Sequence, residues 1–390
     1  MKASPKTVLI VSPQPFEWQV SKRHYAEALA NLGHQVFFME PPTVTSRFKV
    51  RLSHVEGMPN VRLVEVGIPL PDRIRFRIHR GPQVIIYDYL MRLFARKISK
   101  ELPSLDYVIS FDNTLFFPSP ASFGAKRSAL MIMDALSARS LKRVSELAGN
   151  VDCVGAIAGF FLDPFKDLAV NTKLFHHGLG NAFELLAKER LAHEARGVER
   201  PANTNIRVGL VGNLSHPATA FDQVSRLIQQ FTGVIFEFWG PDGYGSQVPQ
   251  SEASDYLKFL DTAPNVIRHG RVSPQVIAES AERIDAWLAC YDYRKDLNAD
   301  EAGVPNSHKI MEYLATGKVI VSNLFTMYTD VSALLAMMPT PSNDGFADHF
   351  SSVMENLEYY NSWELQTRRM QFALTNTYTQ HAVRILEELK

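Results

Sequence analysis

The feature that most constrains the fold is an alternation of short apolar runs with stretches of helical spacing. Residues 7–12 form an apolar run typical of a buried strand, and residues 21–32 have the spacing of an amphipathic helix. Gly33 fits the end of that helix, and residues 35–39 form the next apolar run. A strand, a helix and a second strand in this order predict a parallel sheet with right-handed crossovers.

The same alternation occurs twice along the chain, on either side of a polar interruption. Further runs in the first half predict strands at 61–66, 107–111, 129–133, 153–157 and 173–176. The second half predicts strands at 206–211, 234–239, 266–268, 286–289 and 319–322, with a helix at 221–231. The 390 residues also fit two domains of ordinary size. We therefore predict an α/β protein with two Rossmann-like, doubly wound parallel-sheet domains that face a cleft.

The interruption suggests where the domains divide. Residues 181–205 are polar and charged and contain Pro201, so we interpret them as a helix that leads into the interdomain linker. This places the N-terminal domain at 1–180 and the C-terminal domain at 206–365. The last residues, 366–390, are expected to form a helix that crosses back to the N-terminal domain.

Composition excludes several classes of protein. Hydrophobic residues make up 46% of the chain and charged residues 21%, which is typical of a globular protein. No apolar run approaches the ~20 residues of a membrane-spanning helix, and the N-terminus has no secretory signal pattern. Cys153 and Cys290 lack the spacing of a disulfide framework or a zinc site. We therefore expect a cytoplasmic protein.

The two halves differ in charge although the whole chain is neutral. Residues 1–180 contain 23 Lys and Arg against 15 Asp and Glu, whereas the remainder contains 18 against 26. A basic half joined to an acidic half indicates different partners for the two domains.

Residues 306–322, with the sequence NSHKIMEYLATGKVIVS, carry the clearest chemical signal. Asn306 or Ser307 can cap a helix that begins near His308, and Gly317 can end that helix before a strand. The free N–H groups and the positive dipole at a helix N-terminus suit a diphosphate.

Two charged side chains follow this predicted helix start. Lys309 lies in the first turn and can add a positive charge beside phosphate oxygens. Glu312 lies one turn further and can accept hydrogen bonds from ribose hydroxyls. The residues alone equally allow an ordinary capped amphipathic helix with Lys309 and Glu312 in solvent.

This segment resembles the donor-binding signature of the GT-B glycosyltransferases, especially family 4 and its relatives, N-P-x-K-x-x-E-Y-L-A-x-G-K-P-V-V. The residues that match in register are Asn306, Lys309, Glu312, Tyr313, Leu314, Ala315, Gly317, Lys318 and Val321. The two prolines of the signature are Ser307 and Val319 here. The resemblance implies that the Lys309 region contacts donor phosphates and that Glu312 binds the nucleotide ribose.

The resemblance extends in order over nearly the whole chain, but its specificity varies. The resemblance is highly specific at 306–322 and moderately specific at 8–42 and 206–213. Retaining members of the family carry a second Glu eight positions before the ribose Glu, and that position is Val304 here. The stereochemical outcome of a transfer reaction is therefore left open.

Two further turns resemble donor-binding parts of the family. Gly212 and Asn213 follow the strand at 206–211 and would lie where a backbone approaches phosphate closely. Gly270, Arg271 and Val272 are candidate contacts to the nucleotide base through their backbone groups. A plain strand-to-helix turn is the alternative interpretation of Gly212 and Asn213.

An acceptor hydroxyl needs a carboxylate or histidine nearby if transfer proceeds with inversion. Asp112 and Asp134 each follow a predicted strand, and Glu17 lies in the first loop. We rank Asp112 first, Asp134 second and Glu17 third as the catalytic base. A strand-end Asp is, alternatively, often a helix cap. The resemblance implies no metal and no cofactor other than the nucleotide-sugar co-substrate, because GT-B enzymes hold the leaving diphosphate with helix dipoles and basic side chains.

A basic stretch at 73–100 suggests a further partner. It contains Arg73, Arg75, Arg77 and Arg80, and then a predicted amphipathic helix at 84–100 with Arg92, Arg96, Lys97 and Lys100. Such a surface could rest on anionic lipid at the inner face of a membrane, or it is the solvated face of an ordinary helix. We expect no nucleic-acid partner, because the stretch contains no recognition motif.

The sequence as a whole predicts a glycosyltransferase that moves a sugar from a nucleotide-sugar. UDP is preferred over GDP as the nucleotide, because UDP-sugar donors are more frequent in the family that the sequence resembles. The acceptor would be a saccharide or a lipid-linked saccharide of cell-surface polysaccharide or glycoconjugate synthesis. Two alternatives share the fold: a nucleotide-sugar 2-epimerase and a non-catalytic nucleotide-sugar-binding protein.

Overall fold

The computed structural model describes residues 4–18, 21–69, 83–112, 119–134, 136, 138–193, 205–216, 218–242, 250–295 and 306–390. Contacts divide the chain into two compact units. One comprises Met1–Phe175 together with Tyr378–Lys390, and the other comprises His176–Thr377. Val304 and the arginines at 73, 75, 77 and 80 lie outside the described residues.

The strands of the first unit form one predominantly parallel sheet. They are β1 Thr7–Val11, β2 Gln35–Met39, β3 Thr43–Val44, β4 Lys49–Val55, β5 Met58–Ile68, β6 Tyr107–Ser110, β7 Arg127–Ile132, β8 Cys153–Ala156 and β9 Asn171–Leu174. Across the described residues their order is β3-β5-β2-β1-β6-β7-β8-β9, with β4 paired to β5. The chain winds outward in both directions from β1, so the topological switch point lies between β1 and β6.

The strands of the second unit repeat this topology. They are β10 Ile206–Val211, β11 Val234–Trp239, β12 Val266–Gly270, β13 Ala286–Ala289, β14 Val319–Ser322 and β15 Ala336–Met337. In the described part of the unit their order is β12-β11-β10-β13-β14-β15, and every pair is parallel. The switch point of this sheet lies between β10 and β13.

Helices connect the parallel strands in both units. They are α1 Ser21–Asn31, α2 Gln83–Glu101, α3 Ala138–Ala148, α4 Asn181–Ala192, α5 Phe221–Gln230, α6 Gln250–Thr262, α7 Pro274–Ser280, α8 His308–Ala315, α9 Phe346–Glu355, α10 Leu357–Tyr360, α11 Trp363–Leu374 and α12 Tyr378–Glu388. The described residues contain no helix that is both long and apolar enough to cross a membrane.

Both faces of each sheet are buried, which explains the continuous apolar runs of the sequence. In β1, Val8 and Ile10 belong to the core on the α1 and α12 face, whereas Leu9 and Val11 belong to the core beneath α2. The prediction of two doubly wound, parallel-sheet domains is confirmed, with one exception. β4 runs antiparallel to β5, because a tight turn with Gly57 at φ 73° joins them directly.

The unit boundaries differ from those predicted. Residues 181–205 were interpreted as a helix that leads into the linker. The helix is present as α4, but it buries Phe183 and Ala187 against α7, α8 and α11 of the second unit. Residues 366–390 were expected to cross back to the first unit, yet Met370 and Ala373 of α11 pack in the second core, and the return begins at Tyr378. The helix was assigned to the connection between the domains because its buried stripe is narrow and most of its other residues are polar.

Candidate functional site

Three glycines link the ends of adjacent strands in the second unit. The Gly212 N–H donates to the Trp239 carbonyl at 2.9 Å, and the Gly240 N–H donates to the Gly270 carbonyl at 2.8 Å. In the next pair of residues, the Leu214 N–H donates to the Pro241 carbonyl at 3.0 Å. The carboxyl ends of β10, β11 and β12 therefore form one continuous backbone surface.

Gly240 is the position where this surface requires glycine. Its φ is +142°, and a Cβ there would lie 1.6 Å from the Gly212 carbonyl oxygen. A Cβ at Gly212 would meet no atom within 4 Å, and the same holds for Gly270. The space beside Gly212 and Gly270 is thus open, as expected where a ligand approaches backbone closely. Gly240 directly follows the strand predicted at 234–239, and no sequence pattern predicted a role for it.

Helix α8 begins beside this surface with two charged side chains that contact each other. The Lys309 ammonium donates to the Glu312 carboxylate at 2.8 Å, and the two side chains are only 17% and 16% exposed. They are three residues apart, so they lie on one face of the helix. A diphosphate beside Lys309 would therefore compete with Glu312 for the ammonium group.

The residues before α8 anchor the helix start. Asn306 is buried, and its side-chain oxygen accepts a hydrogen bond from the Tyr328 hydroxyl at 3.2 Å. Ser307 occupies the N-cap position, but its side chain makes no capping hydrogen bond and lies 3.4 Å from the Tyr291 hydroxyl. The Ser307 side chain therefore does not cap the first-turn N–H groups, which are the groups expected to face an anion.

Tyr313 ties α8 to the glycine surface. Its hydroxyl accepts a hydrogen bond from the Val211 N–H at 2.7 Å and donates to the Val211 carbonyl at 3.4 Å. Val211 directly precedes Gly212, so this contact sets the position of the turn relative to Lys309 and Glu312. The sequence analysis identified Tyr313 only as a match to the signature, without a role.

A buried ring stack supports this contact from below. Tyr313 stacks on Trp287 with centroids 4.5 Å apart, and Trp287 contacts Trp239 at 5.8 Å. Gly209 makes room for these rings, because a Cβ there would lie 2.5 Å from Trp287. The stack crosses β13, β10 and β11, so it fixes the strand ends that carry the candidate donor site.

A buried carboxylate lies at the far end of this stack. Glu237 accepts hydrogen bonds from Arg207 at 2.6 Å, from Arg283 at 2.9 Å and from His269 at 2.7 Å. His269 also stacks on Trp239 with centroids 4.7 Å apart. These two contacts indicate a structural role for His269, which directly precedes Gly270.

The charge on Glu237 predicts a pH dependence of stability. Burial alone would raise its pKa, but the hydrogen bonds from Arg283, Arg207 and His269 hold the pKa below the ordinary value of 4.5. An acid of this kind stabilises the fold above its unfolded pKa, and the contribution is lost as the pH falls through the folded pKa. We expect Glu237→Gln to cost about 3 kcal/mol at neutral pH. It should also flatten the acid-side decline in unfolding free energy, measured by urea denaturation.

Glu65→Gln is the matched control for that measurement. Glu65 pairs with Arg51 at 3.5 Å near the surface, where the side chains of Arg51 and Glu65 are 75% and 43% exposed. Such pairs contribute up to about 1 kcal/mol. An equal loss in both variants would contradict the role given to the buried cluster.

The remaining predicted donor residues lie along the same edge. The Asn213 side-chain oxygen accepts from the Ser215 N–H and hydroxyl, both at 3.1 Å, and so shapes the turn after β10. Arg271 is exposed and Val272 is half-buried in the turn after β12. Their roles in base binding stay predictions.

The predicted catalytic bases lie in the first unit. Asp112 follows β6 beside the switch point and is only 4% exposed, and its N–H donates to the Ser110 hydroxyl at 3.2 Å. Asp134 follows β7, the next strand, and is exposed. Glu17 lies in an exposed turn after β1. Topology thus brings Asp112 and Asp134 to neighbouring strand ends.

Lys22 is a residue that the sequence analysis missed. It lies in the first turn of α1, after β1, and is only 6% exposed. Burial lowers the pKa of its ammonium group, and the negative charge of Asp134 partly offsets that effect. The signal was available in the sequence, because Lys22 precedes the buried residues Tyr25 and Leu29 by three and seven positions on the same helix face.

No metal site is evident in the described part of the chain, where no three His, Cys, Asp or Glu side chains group together. Cys153 and Cys290 are both free and buried, and burial raises the pKa of both thiols, to about 11 for Cys153. Neither cysteine therefore has the character of a reactive thiolate.

Comparison of the sequence with protein-family models and with curated proteins gives no match. Solved structures do match. A trehalose-6-phosphate synthase from Escherichia coli bound with UDP-2-fluoro glucose aligns with a TM-score of 0.70 at 12% identity over 98% of each chain. HepE from Anabaena, in complex with UDP and glucose, aligns with a TM-score of 0.66 at 13% identity over 98% of each chain.

A UDP-forming α,α-trehalose-phosphate synthase from Burkholderia xenovorans gives the same result. It aligns with a TM-score of 0.67 at 12% identity, covering 99% of this chain and 98% of the other. The matched structures are GT-B glycosyltransferases. The whole chain therefore has the GT-B fold, as its resemblance to that group implied.

Proposed function

We propose that this protein is a glycosyltransferase that moves a sugar from a UDP-sugar to a hydroxyl group of a saccharide or lipid-linked acceptor. The observation that carries the proposal is the start of α8. Lys309 and Glu312 lie there on one face, and Tyr313 holds the open turn at Gly212 in place. The same fold in proteins whose structures contain UDP or a UDP-sugar supports it.

The donor would bind at the carboxyl edge of the second sheet. Its diphosphate would contact the first-turn N–H groups of α8 and the Lys309 ammonium, which Glu312 would release in order to bind the ribose hydroxyls. The backbone at Gly270, Arg271 and Val272 would contact the base. Transfer breaks the bond between the anomeric carbon and a phosphate oxygen, and the charge left on that oxygen is stabilised by the helix start and Lys309.

The acceptor would bind at the carboxyl edge of the first sheet. An acceptor oxygen forms the new bond to the anomeric carbon, and its proton passes to a carboxylate, for which we propose Asp112. Lys22, buried in α1 within the electrostatic influence of Asp134, would orient an anionic or hydroxyl group of the acceptor. The proposed reaction needs no metal. A lipid-linked acceptor would place the protein at the inner face of the membrane.

Lys309→Ala tests the donor site. A UDP-sugar at 100 times its Kd is expected to add about 2.7 kcal/mol of apparent stability to the wild type. A charge-assisted hydrogen bond contributes about 1.5–3 kcal/mol, so the variant should bind roughly tenfold to a hundredfold more weakly. At the same ligand concentration, about half or more of the stabilisation by UDP-glucose should therefore disappear. A thermal-shift assay across UDP-, GDP- and dTDP-sugars measures the change in Tm.

Lys258→Ala is the matched control for Lys309→Ala. Lys258 lies on α6 of the same unit with its side chain 74% exposed, and the substitution removes the same charge. A Tm increase that persists in Lys309→Ala, or that falls equally in both variants, would show that the diphosphate binds elsewhere.

Product analysis separates transfer from the two alternatives of the same fold. Release of UDP with slow hydrolysis of the donor in the absence of acceptor supports a transferase. Conversion of the nucleotide-sugar to its 2-epimer would instead identify an epimerase, and binding without any turnover across an acceptor panel would identify a binding protein.

A further inference from the structure

A polar cavity lies in the first unit, between the last half of α2, the turn at Pro120–Phe123 and the end of α3. Its volume is about 630 Å³, and its polar lining includes Arg92, Arg96, Ser119, Ser122, Glu146 and Asn150. These segments lead into the amino-terminal ends of β6, β7 and β8. The cavity therefore lies towards the opposite edge of the sheet from Asp112 and Asp134.

The two arginines give the cavity a cationic wall. Arg92 and Arg96 are four residues apart on α2, so their side chains lie on the same helix face. Both are exposed, and neither forms an ion pair with any residue that the structure describes. Glu146 also lines the cavity and has a partner of its own, so the lining carries one net positive charge.

Ser119 supplies an independent sign of a ligand. It is only 8% exposed, and its hydroxyl has no hydrogen-bond partner among the described residues. It occupies the N-cap position of the turn at Pro120–Phe123, yet its side chain makes no capping hydrogen bond. A buried hydroxyl without a partner costs free energy, which a bound acceptor group would recover.

The walls of the cavity are held in a fixed arrangement. The Ser99 hydroxyl oxygen lies 2.7 Å from the Phe123 carbonyl oxygen and 2.9 Å from the Ala95 carbonyl oxygen, and it can donate to either. This contact joins α2 to the turn that carries Ser119 and Ser122. The donors of both elements are thus preorganised around one space.

We propose that this cavity binds a phosphate group. Two guanidinium groups offer planar sets of donors, and the hydroxyls of Ser119 and Ser122 add two more, which suits the several acceptor oxygens of a phosphate. The excess of Lys and Arg in residues 1–180 favours an anionic partner on this unit. The phosphate belongs either to a soluble compound or to a lipid headgroup, and both present the same chemistry to these donors.

Titration with inorganic phosphate, by calorimetry on the full chain, tests the site. Every protein in the titration carries Lys309→Ala, so that phosphate binding at the proposed donor site does not contribute to the signal. We expect Arg92→Gln/Arg96→Gln and Ser119→Ala each to weaken binding roughly tenfold or more. Lys100→Gln is the control, since it removes a charge from the same helix outside the cavity.

A flotation assay distinguishes the two sources. It uses phosphatidylcholine vesicles with and without phosphatidylglycerol. Flotation that needs phosphatidylglycerol, Ser119 and the two arginines identifies a headgroup site, whereas phosphate binding without flotation identifies a soluble ligand. A protein that neither binds inorganic phosphate nor floats with the vesicles would overturn the proposal. An equal effect of Lys100→Gln and the arginine double variant, or no effect of Ser119→Ala, would also overturn it, because either result indicates diffuse charge attraction.

Discussion

Asp112→Asn is expected to lower the rate of glycosyl transfer by a factor of about 10² to 10⁴ while UDP-sugar binding stays unchanged. Asparagine has nearly the same shape but cannot accept the proton of the acceptor hydroxyl. The measurement is kcat with a saturating acceptor, together with the Tm increase given by UDP-sugar alone. The change should therefore fall on kcat and leave donor affinity as it is in the wild type.

The position of Asp112 makes it the strongest of the three candidate carboxylates. It follows β6, which together with β1 forms the topological switch point of the first sheet, where doubly wound folds bind ligands. It is 4% exposed, so the protein, rather than bulk water, determines the surroundings of its carboxylate. Asp134 is exposed beside Lys22, and Glu17 lies in an exposed turn.

Asp134→Asn and Glu17→Gln are the matched comparisons, because each removes one carboxylate from the same unit. We expect smaller losses from both. Undiminished turnover in Asp112→Asn would remove Asp112 from the role, and a loss confined to Asp134→Asn would transfer the role to Asp134. Circular dichroism of each variant checks that the fold is intact.

Much of the fold was predictable because parallel sheets leave a strong mark on a sequence. Strands buried on both faces read as continuous apolar runs, and β1, β2, β10, β11, β13 and β14 were all found in this way. β3 and β15 have two residues each, and β4 alternates exposed and half-buried positions, so none of them forms such a run. β4 and its antiparallel pairing with β5 were missed for this reason, although β5 itself was predicted at 61–66.

The candidate donor site was predictable to the extent that it is local in sequence. Lys309 and Glu312 lie within one turn of one helix, so their shared face follows from their spacing. The contact of Tyr313 with Val211 joins residues 102 positions apart, and no local pattern indicates it. The burial of Lys22, by contrast, follows from its spacing to Tyr25 and Leu29 on one helix face.

Gly240→Ala is expected to destabilise the second unit by about 4 kcal/mol. Part of this cost is backbone strain, because side chains rarely adopt a φ of +142°. The rest is overlap, because the new Cβ would lie 1.6 Å from the Gly212 carbonyl oxygen, a backbone atom that hydrogen bonds hold in place. Urea denaturation followed by circular dichroism measures the loss.

Gly212→Ala separates this effect from the general cost of removing a glycine. Its Cβ would meet no atom within 4 Å, and its φ is not in the left-handed region, so the unfolding free energy should change by less than about 1 kcal/mol. The two glycines face each other across the ends of β10 and β11. Only at Gly240 does the Cα hydrogen that a side chain would replace point at backbone. If the two variants unfold at the same urea concentration, the strand ends must be free to separate, and the continuous surface on which the donor site depends would not exist as described.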